Sequence, residues 1–410
     1  MRLLYNLFIL LYWVAAHCAS VKSRKARLWV NGRKNILRQL SLQSFSNENV
    51  IWVHCASLGE FEQGRPLIEY LKQKQSSCKI LLTFFSPSGF EIQKNYPQAD
   101  YICYLPNDTP SNARRFIEIV QPKYIFFIKY DFWYNYIREA YRQHIPFYSV
   151  SCIFSHEQFY FAWHGAWFRK QLRQISCFFT QDQFSVELLR QYRIPQAVVF
   201  GDTRFDRVAK LVSDAKPIAV FADMKRQENM IVAGSTWTND EKLLARLIKE
   251  HSFRLILAPH EVHEAHIEEI ERCFEGCSMI RYSQLCPNTS VENIQLIIID
   301  TIGILNSLYR YGDIAYVGGG FGKGIHNILE AATYGKPIVF GTNYKKFKEA
   351  KDLIGLSAAF SVANYVELDL VITQLFADKD NLQSIGMRAK QYVSQHTGAC
   401  EQIYNFVFIS

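Results

Sequence analysis

Residues 313–331 read DIAYVGGGFGKGIHNILEA, and the order of residue types in this stretch sets the fold class. The apolar run from Asp313 to Val317 has the β-branched and aromatic content of a strand. Three consecutive glycines follow, with Gly322 and Gly324 close behind, and an amphipathic segment that reads as a helix starting near His326. Strand, glycine turn and helix together are the repeating unit of a parallel α/β sheet. Clustered glycines also let backbone amides approach a ligand, so a phosphate over the helix start is the first expectation. A tight turn that only caps a helix is the alternative.

Two common nucleotide fingerprints do not fit. A Walker loop needs glycine where Val317 stands and Ser or Thr where Gly324 stands, and the third glycine of a dinucleotide G-x-G-x-x-G frame falls on Lys323 or Ile325. His326 and Glu330 are four apart, which puts both on one face of the expected helix. A carboxylate there suits ribose hydroxyls.

The same strand-and-helix style runs outward in both directions. Apolar runs at 49–57, 79–85, 101–106, 123–130, 146–154, 177–181 and 197–202 alternate with amphipathic segments, and 229–236, 253–260, 295–300 and 336–341 continue the pattern. At 410 residues the chain is too long for one ordinary core. The expected architecture is two doubly wound, Rossmann-like α/β domains facing across a cleft. The expected boundaries are an anchor segment at 1–40, a first domain at 41–206, a linker at 207–228 and a second domain at 229–410.

Charge is concentrated at one end. Residues 1–47 hold eight Lys or Arg and no Asp or Glu, while the other 38 basic residues balance 38 acidic ones. Within that segment, Leu3 to Ala16 is apolar apart from Asn6 and rich in interfacial aromatics. The run is shorter than a comfortable bilayer span of about 20 residues. A shallow or spanning N-terminal anchor is expected, with the basic residues of VKSRKAR against anionic lipid on the cytoplasmic side. A cleaved secretory signal is the competing reading. Ten scattered cysteines without a C-x-x-C pair read as reduced thiols.

Candidate chemistry gathers after the strands. In HCASLGEFEQGRPLIEYL, residues 54–71, Ser57 and Glu60 have capping-box spacing, so Glu60 reads either as a cap or as a general base. Asp131 follows an apolar strand among aromatics and reads as a carboxylate facing substrate. In the second half, Ser235, Thr236, Pro259, His260 and Glu261 line the ends of two strands on the side of the glycine turn. Histidines 260, 263 and 266 step by three, but no H-E-x-x-H frame is present, so a surface helix is expected rather than a metal site.

With these residues in place, the chain resembles the bacterial 3-deoxy-D-manno-octulosonic acid (Kdo) transferases over nearly its whole length. The resemblance rests on an ordered set: WVHCASLGE, KYDFWY, GDTRFD, GSTW, APHE and VGGGFGKGIHNILEAA. It implies the glycosyltransferase B fold, no metal or other cofactor, and the cytoplasmic face of the inner membrane. The implied reaction is inverting transfer of Kdo from CMP-Kdo to lipid A precursor, with Glu60 as catalytic base and Asp131 beside it. Ser57, Gly59 and Arg204 would contact acceptor or Kdo. Ser235, Thr236, Pro259, His260, Glu261, Gly319, Gly320, Lys323, His326, Asn327 and Glu330 would hold the donor nucleotide. The chain departs from the family pattern at Lys129, at Asp131, at Ile304 and in lacking the arginine of A-P-R-H. Another sugar-nucleotide transferase, or a non-hydrolysing sugar-nucleotide epimerase, fits the same scaffold, and a membrane-docked nucleotide-binding protein without catalysis is a third class.

Overall fold

The computed structural model describes all residues except 44, 46–47, 226–228, 287–288 and 410, and the side chains of 223 and 225. The chain forms two compact units, residues 1–207 with 397–410, and residues 208–396.

The first unit holds a seven-stranded parallel sheet. Its strands are β1 (Val50–Cys55), β2 (Lys79–Phe84), β3 (Tyr101–Tyr104), β4 (Tyr124–Ile128), β5 (Phe147–Cys152), β6 (Cys177–Thr180) and β7 (Ala197–Val199), in the spatial order β3-β2-β1-β4-β5-β6-β7. Strand β1 is buried at every position, as a central parallel strand covered on both faces should be. One face packs Trp52 and Phe127 against Phe116 and Tyr136, and the other packs Val53 and Phe126 against Phe61 and Leu67.

The second unit repeats the plan with β8 (Met230–Thr236), β9 (Arg254–Pro259), β10 (Met279–Arg281), β11 (Leu296–Ile298), β12 (Ile314–Val317), β13 (Ile338–Gly341) and β14 (Ala359–Val362). The order is β10-β11-β9-β8-β12-β13-β14, again parallel. The strand order reverses between β1 and β4 in the first sheet and between β8 and β12 in the second, where β11 is also inserted between β9 and the edge strand β10. Open α/β sheets bind ligands beyond the carboxyl ends of strands at such a reversal.

Every apolar run named from the sequence contains a strand. Two edge strands, β10 and β14, were not anticipated: each is short, has one neighbour only, and is partly exposed, so neither carries a continuous apolar run. The boundaries also differ from expectation. Residues 397–410 belong to the first unit because the helix Ala399–Phe408 buries Cys400 and Ile403 there, sets Phe408 edge-on to Tyr124, and receives the Asp206 carboxylate on the amides of Gly398 and Cys400. The expected linker is largely helical, Arg204–Asp214 and Ala219–Lys225, and Phe221 is buried in the second unit beside Tyr311. Its last residues, 226–228, lie outside the described residues.

The N-terminal helix Arg2–Ser20 extends past the apolar run, reaching about 28 Å at 1.5 Å per residue. By length and mean hydropathy of 1.5 it is apolar enough to cross a membrane, and little of it is buried. It is fixed to the first unit by Tyr5, whose hydroxyl donates to Asp108 Oδ2 at 2.6 Å, and by Asn6, which accepts from Asn135 at 3.0 Å.

Candidate functional site

At the reversal point of the first sheet, β1 runs into the helix Leu58–Lys74. Ser57 stands at the cap position, but its side chain accepts no helix amide; its hydroxyl donates to Glu60 Oε2. The capping-box alternative therefore fails in its reciprocal form, and the hydroxyl instead orients the carboxylate. Glu60 is half-buried in the first turn of the helix, where the free amides favour a negative charge. Gly59 is exposed, and a Cβ there would meet only Ser57 Oγ at 3.7 Å, so packing does not demand glycine.

Beside it lies a chain of polar contacts the sequence did not single out. His54, fully buried on β1, reaches Asp131 Oδ2 with Nε2 at 2.8 Å and Thr83 Oγ1 with Nδ1 at 2.8 Å. Trp52 Nε1 donates to the same Thr83 hydroxyl at 2.8 Å. A carboxylate only accepts, so the network assigns the proton to His54 Nε2 and leaves Nδ1 to accept from Thr83. Trp133 Nε1 adds a second donor to Asp131 Oδ2 at 2.9 Å, so this tryptophan also orients the carboxylate. Asp131 is thus held by one oxygen, with its side chain 24% exposed. Burial first, and then the carboxylates of Glu60 and Asp131, push the Cys55 thiol up.

Arg204 is differently placed. Its Nε donates to Asp202 Oδ2 at 2.8 Å, its backbone amide donates to Asp202 Oδ1, and Gln63 donates to that oxygen at 3.0 Å. Its guanidinium is engaged by a buried carboxylate of the same unit.

In the second unit the glycine turn leaves β12 beside the end of β8. Close approach explains two of its glycines: a Cβ on Gly318 would lie 2.3 Å from Ser235 O, and one on Gly320 would lie 2.5 Å from the Gly341 backbone. Gly319 has φ +89°, and its amide donates to Asp240 Oδ2 at 3.0 Å. The amides of Gly318, Gly322, Gly324, Ile325 and His326 also donate to carbonyls of the unit. The expectation that glycine amides cradle a phosphate is therefore corrected for Gly319 and for these neighbours. The helix starts at Leu329, not near His326, and runs only to Thr333. Asn327 is the reason: its Oδ1 accepts the Leu329 amide at 3.1 Å while its Nδ2 donates to Glu330 Oε1 at 3.1 Å. His326 precedes the helix and does not share a face with Glu330.

His326 instead joins a column of rings. Trp237 stacks on His260 at 4.7 Å between centroids, His260 stacks on His326 at 4.5 Å, and Trp237 Nε1 donates to His326 Nε2 at 3.1 Å. Ser235 has φ +54° where the register between β8 and β9 shifts, and Thr236 donates to the buried Glu241 at 3.1 Å. Pro259 ends β9, and Glu261 contacts His263 at 3.2 Å. His263 caps the helix Glu264–Cys273 by accepting the His266 amide, and the His266 ring pairs with Glu241 at 3.1 Å. Lys323 is exposed and pairs with no carboxylate among the described residues.

Burial, and then the neighbouring His260, lower the pKa of His326. The neutral ring is the form that can accept from Trp237. Because the unfolded chain takes up this proton at higher pH, the contribution to stability is complete above about pH 6.5 and is lost as pH falls through the depressed value. An NMR titration of His326 is expected to give a midpoint below the ordinary histidine range, moving up in His260→Ala; a midpoint at or above about 6.5 contradicts the ring column.

A family profile described as 3-deoxy-D-manno-octulosonic-acid transferase (kdotransferase) matches residues 30–207. The 3-deoxy-D-manno-octulosonic acid transferase of Aquifex aeolicus is 28% identical over 347 residues, covering 82% of this chain and 88% of the relative. That of Haemophilus influenzae is 25% identical over 370 residues, covering 87% and 86%. Among solved structures, UDP-GlcNAc 2-epimerase from Neisseria meningitidis superposes with a TM-score of 0.61 at 16% identity, over 88% of this chain and 100% of that one. MurG from Acinetobacter baumannii gives 0.57 at 13% identity over 88% and 100%, and at these identities the likeness speaks for the fold alone. By sequence, the chain carries a 3-deoxy-D-manno-octulosonic acid transferase domain match over residues 30–207 and is similar to these enzymes over most of its length, and by fold it has the glycosyltransferase B architecture.

Proposed function

We propose that the protein transfers Kdo from CMP-Kdo to a lipid A precursor with inversion at the anomeric carbon and without a metal ion. The observation that carries this reading is Glu60, a half-buried carboxylate at the reversal point of the first sheet, oriented by Ser57, with the His54-held Asp131 after the neighbouring strand β4. Glu60 takes the proton from the acceptor hydroxyl as that oxygen bonds to the anomeric carbon. The bond from that carbon to the CMP phosphate oxygen breaks on the opposite face, and CMP leaves with the electron pair. Asp131, with one oxygen committed to His54 and Trp133, orients the acceptor sugar through the other.

Ser57, Gly59 and Arg204 flank the acceptor side, and Arg204 acts through its pairing with Asp202 rather than as a free cation. The donor falls to the second unit. Lys323 supplies charge for the phosphate, which the engaged Gly319 amide does not, and Gly320 keeps the turn close-packed. Ser235, Thr236, Pro259, His260, Glu261 and His326 bound the nucleoside, with Asn327 and Glu330 on the ribose hydroxyls. The apolar helix Arg2–Ser20 and the basic residues behind it seat the protein on the cytoplasmic face of the inner membrane, against anionic lipid.

The test is incubation of the detergent-solubilised protein with freshly generated CMP-Kdo and lipid A precursor, read by mass spectrometry of the lipid. A gain of one or more Kdo masses is expected. No gain, from a folded protein that CMP stabilises against heat, overturns the donor and acceptor assignment while keeping a nucleotide site.

A further inference from the structure

The helix Arg2–Ser20 forms one wall of a groove of about 550 Å3, contributing Leu4, Tyr5 and Phe8. Phe159 and Trp167 line it as well, and Asp131 is the one charged side chain in its lining among the described residues. The walls are held in place rather than merely adjacent: Tyr5 is hydrogen-bonded to Asp108 and lies edge-on to Tyr134 at 5.5 Å between centroids, with Trp167 at 5.9 Å. The volume is that of a small-molecule pocket and is small for a helix about 10 Å across.

Apolar residues that line the groove also face outward: Leu4, Phe8 and Phe159 are exposed. Leu3, Leu7 and Trp163, outside its lining, are exposed too, Trp163 at 91%. Exposed apolar side chains grouped in this way mark an interaction surface, and exposed tryptophan suits a membrane interface. Lys22, Arg24 and Lys25 follow the same helix and match an anionic bilayer surface in charge. What an apolar groove at such a surface meets is a hydrocarbon chain, and Asp131, the charged side chain in its lining, is the group a polar head would meet.

We propose that this groove binds one fatty-acyl chain, which, on the transfer reading above, belongs to the lipid acceptor and places its sugar beside Asp131 and Glu60. The helix is then part of the acceptor site as well as an anchor. The full-length protein in detergent is treated with a long-chain fatty acid carrying a diazirine, irradiated, and mapped by mass spectrometry. Label is expected on Phe8, Phe159 and Trp167, competed by unlabelled fatty acid. Leu4→Trp, at an exposed position that leaves the fold intact, is expected to lower that labelling about tenfold by filling the groove, whereas Leu7→Trp on the outer face leaves it unchanged. Label confined to Leu3, Leu7 and Leu11, or equal labelling in Leu4→Trp, overturns the proposal. So does disulfide cross-linking of two copies of Leu4→Cys at the introduced thiol that fatty acid does not displace. The transfer assay separates the two readings. Equal Kdo transfer to acylated and deacylated acceptors, with the groove unlabelled, removes the acyl site and keeps the transfer reading. Groove labelling without any transfer keeps the acyl site and removes the transfer reading.

Discussion

Glu60→Gln is expected to lower kcat for Kdo transfer by about 10²–10⁴-fold, the usual contribution of a positioned general base, with little change in KM for either substrate. The amide has nearly the shape of the carboxylate and its oxygen still accepts from Ser57 Oγ, so the turn after β1 keeps its geometry. What disappears is the capacity to take a proton. Stability should fall only by the loss of a negative charge from the first turn of a helix, about 0.3–1 kcal/mol. The distinguishing readout is therefore steady-state kinetics alongside a thermal melt. A variant that melts almost normally but does not turn over supports the assigned base. A variant that retains transfer assigns the proton elsewhere, and the group to examine next is Asp131, which keeps one oxygen outside the His54 and Trp133 contacts. Ser57→Ala should give a smaller kinetic loss, since it removes the orientation of the base and not the base itself.

The sequence made both sheets legible because a parallel sheet covered on two faces needs unbroken apolar strands, and β1 and β12 are buried along their whole length. The edge strands were not legible, because an edge strand can be short and half-exposed. Residue types at strand ends were enough to raise Glu60, Asp131, Ser235, Thr236, His260, Glu261 and the glycine turn as candidates. What those groups touch was not readable. His54 and Thr83 face one another only through the register of β1 against β2, where they are direct partners, and no local spacing reports a pairing across that many residues. The glycine turn was read as a phosphate cradle because clustered glycines signal close approach. The approach is real, but at Gly318 and Gly320 it is made by other backbone, and at Gly319 by a carboxylate from the helix after β8. The early helix start failed for a similar reason: the Asn327 side chain bonds the first helix amide and so sets the boundary at Leu329. The C-terminal helix carries no mark in its own sequence of the unit on which it packs; the capture of its amides by Asp206 is a contact of long separation.

Asp240→Ala is expected to be the most destabilising single change in the second unit, by about 3–5 kcal/mol, read as a lower urea midpoint with unchanged m-value. The Asp240 carboxylate is buried and receives three donors: the Tyr316 hydroxyl at 2.7 Å, the Trp237 amide at 2.9 Å and the Gly319 amide at 3.0 Å. Truncation leaves all three buried with nothing to accept them, and each orphaned donor costs about 1–3 kcal/mol. Burial pushes the Asp240 pKa up despite those donors. Because the folded chain then holds this proton more tightly than the unfolded one, the group's contribution to stability is complete below the ordinary aspartate range and is lost as pH rises through the raised value. Wild type should therefore become relatively less stable with rising pH over that window, and Asp240→Ala should lose this slope together with its stability. Asp240→Asn separates charge from hydrogen bonding: its carbonyl keeps an acceptor for part of the set, so its midpoint is expected between the other two, without the pH slope. A midpoint for Asp240→Ala within about 0.5 kcal/mol of wild type, the range of an unremarkable surface change, would mean that the glycine turn is not anchored through this carboxylate. Since the same residue holds Trp237 and Gly319, which bracket the ring column and the turn, a destabilised Asp240→Ala should also bind CMP more weakly at temperatures where it is still folded.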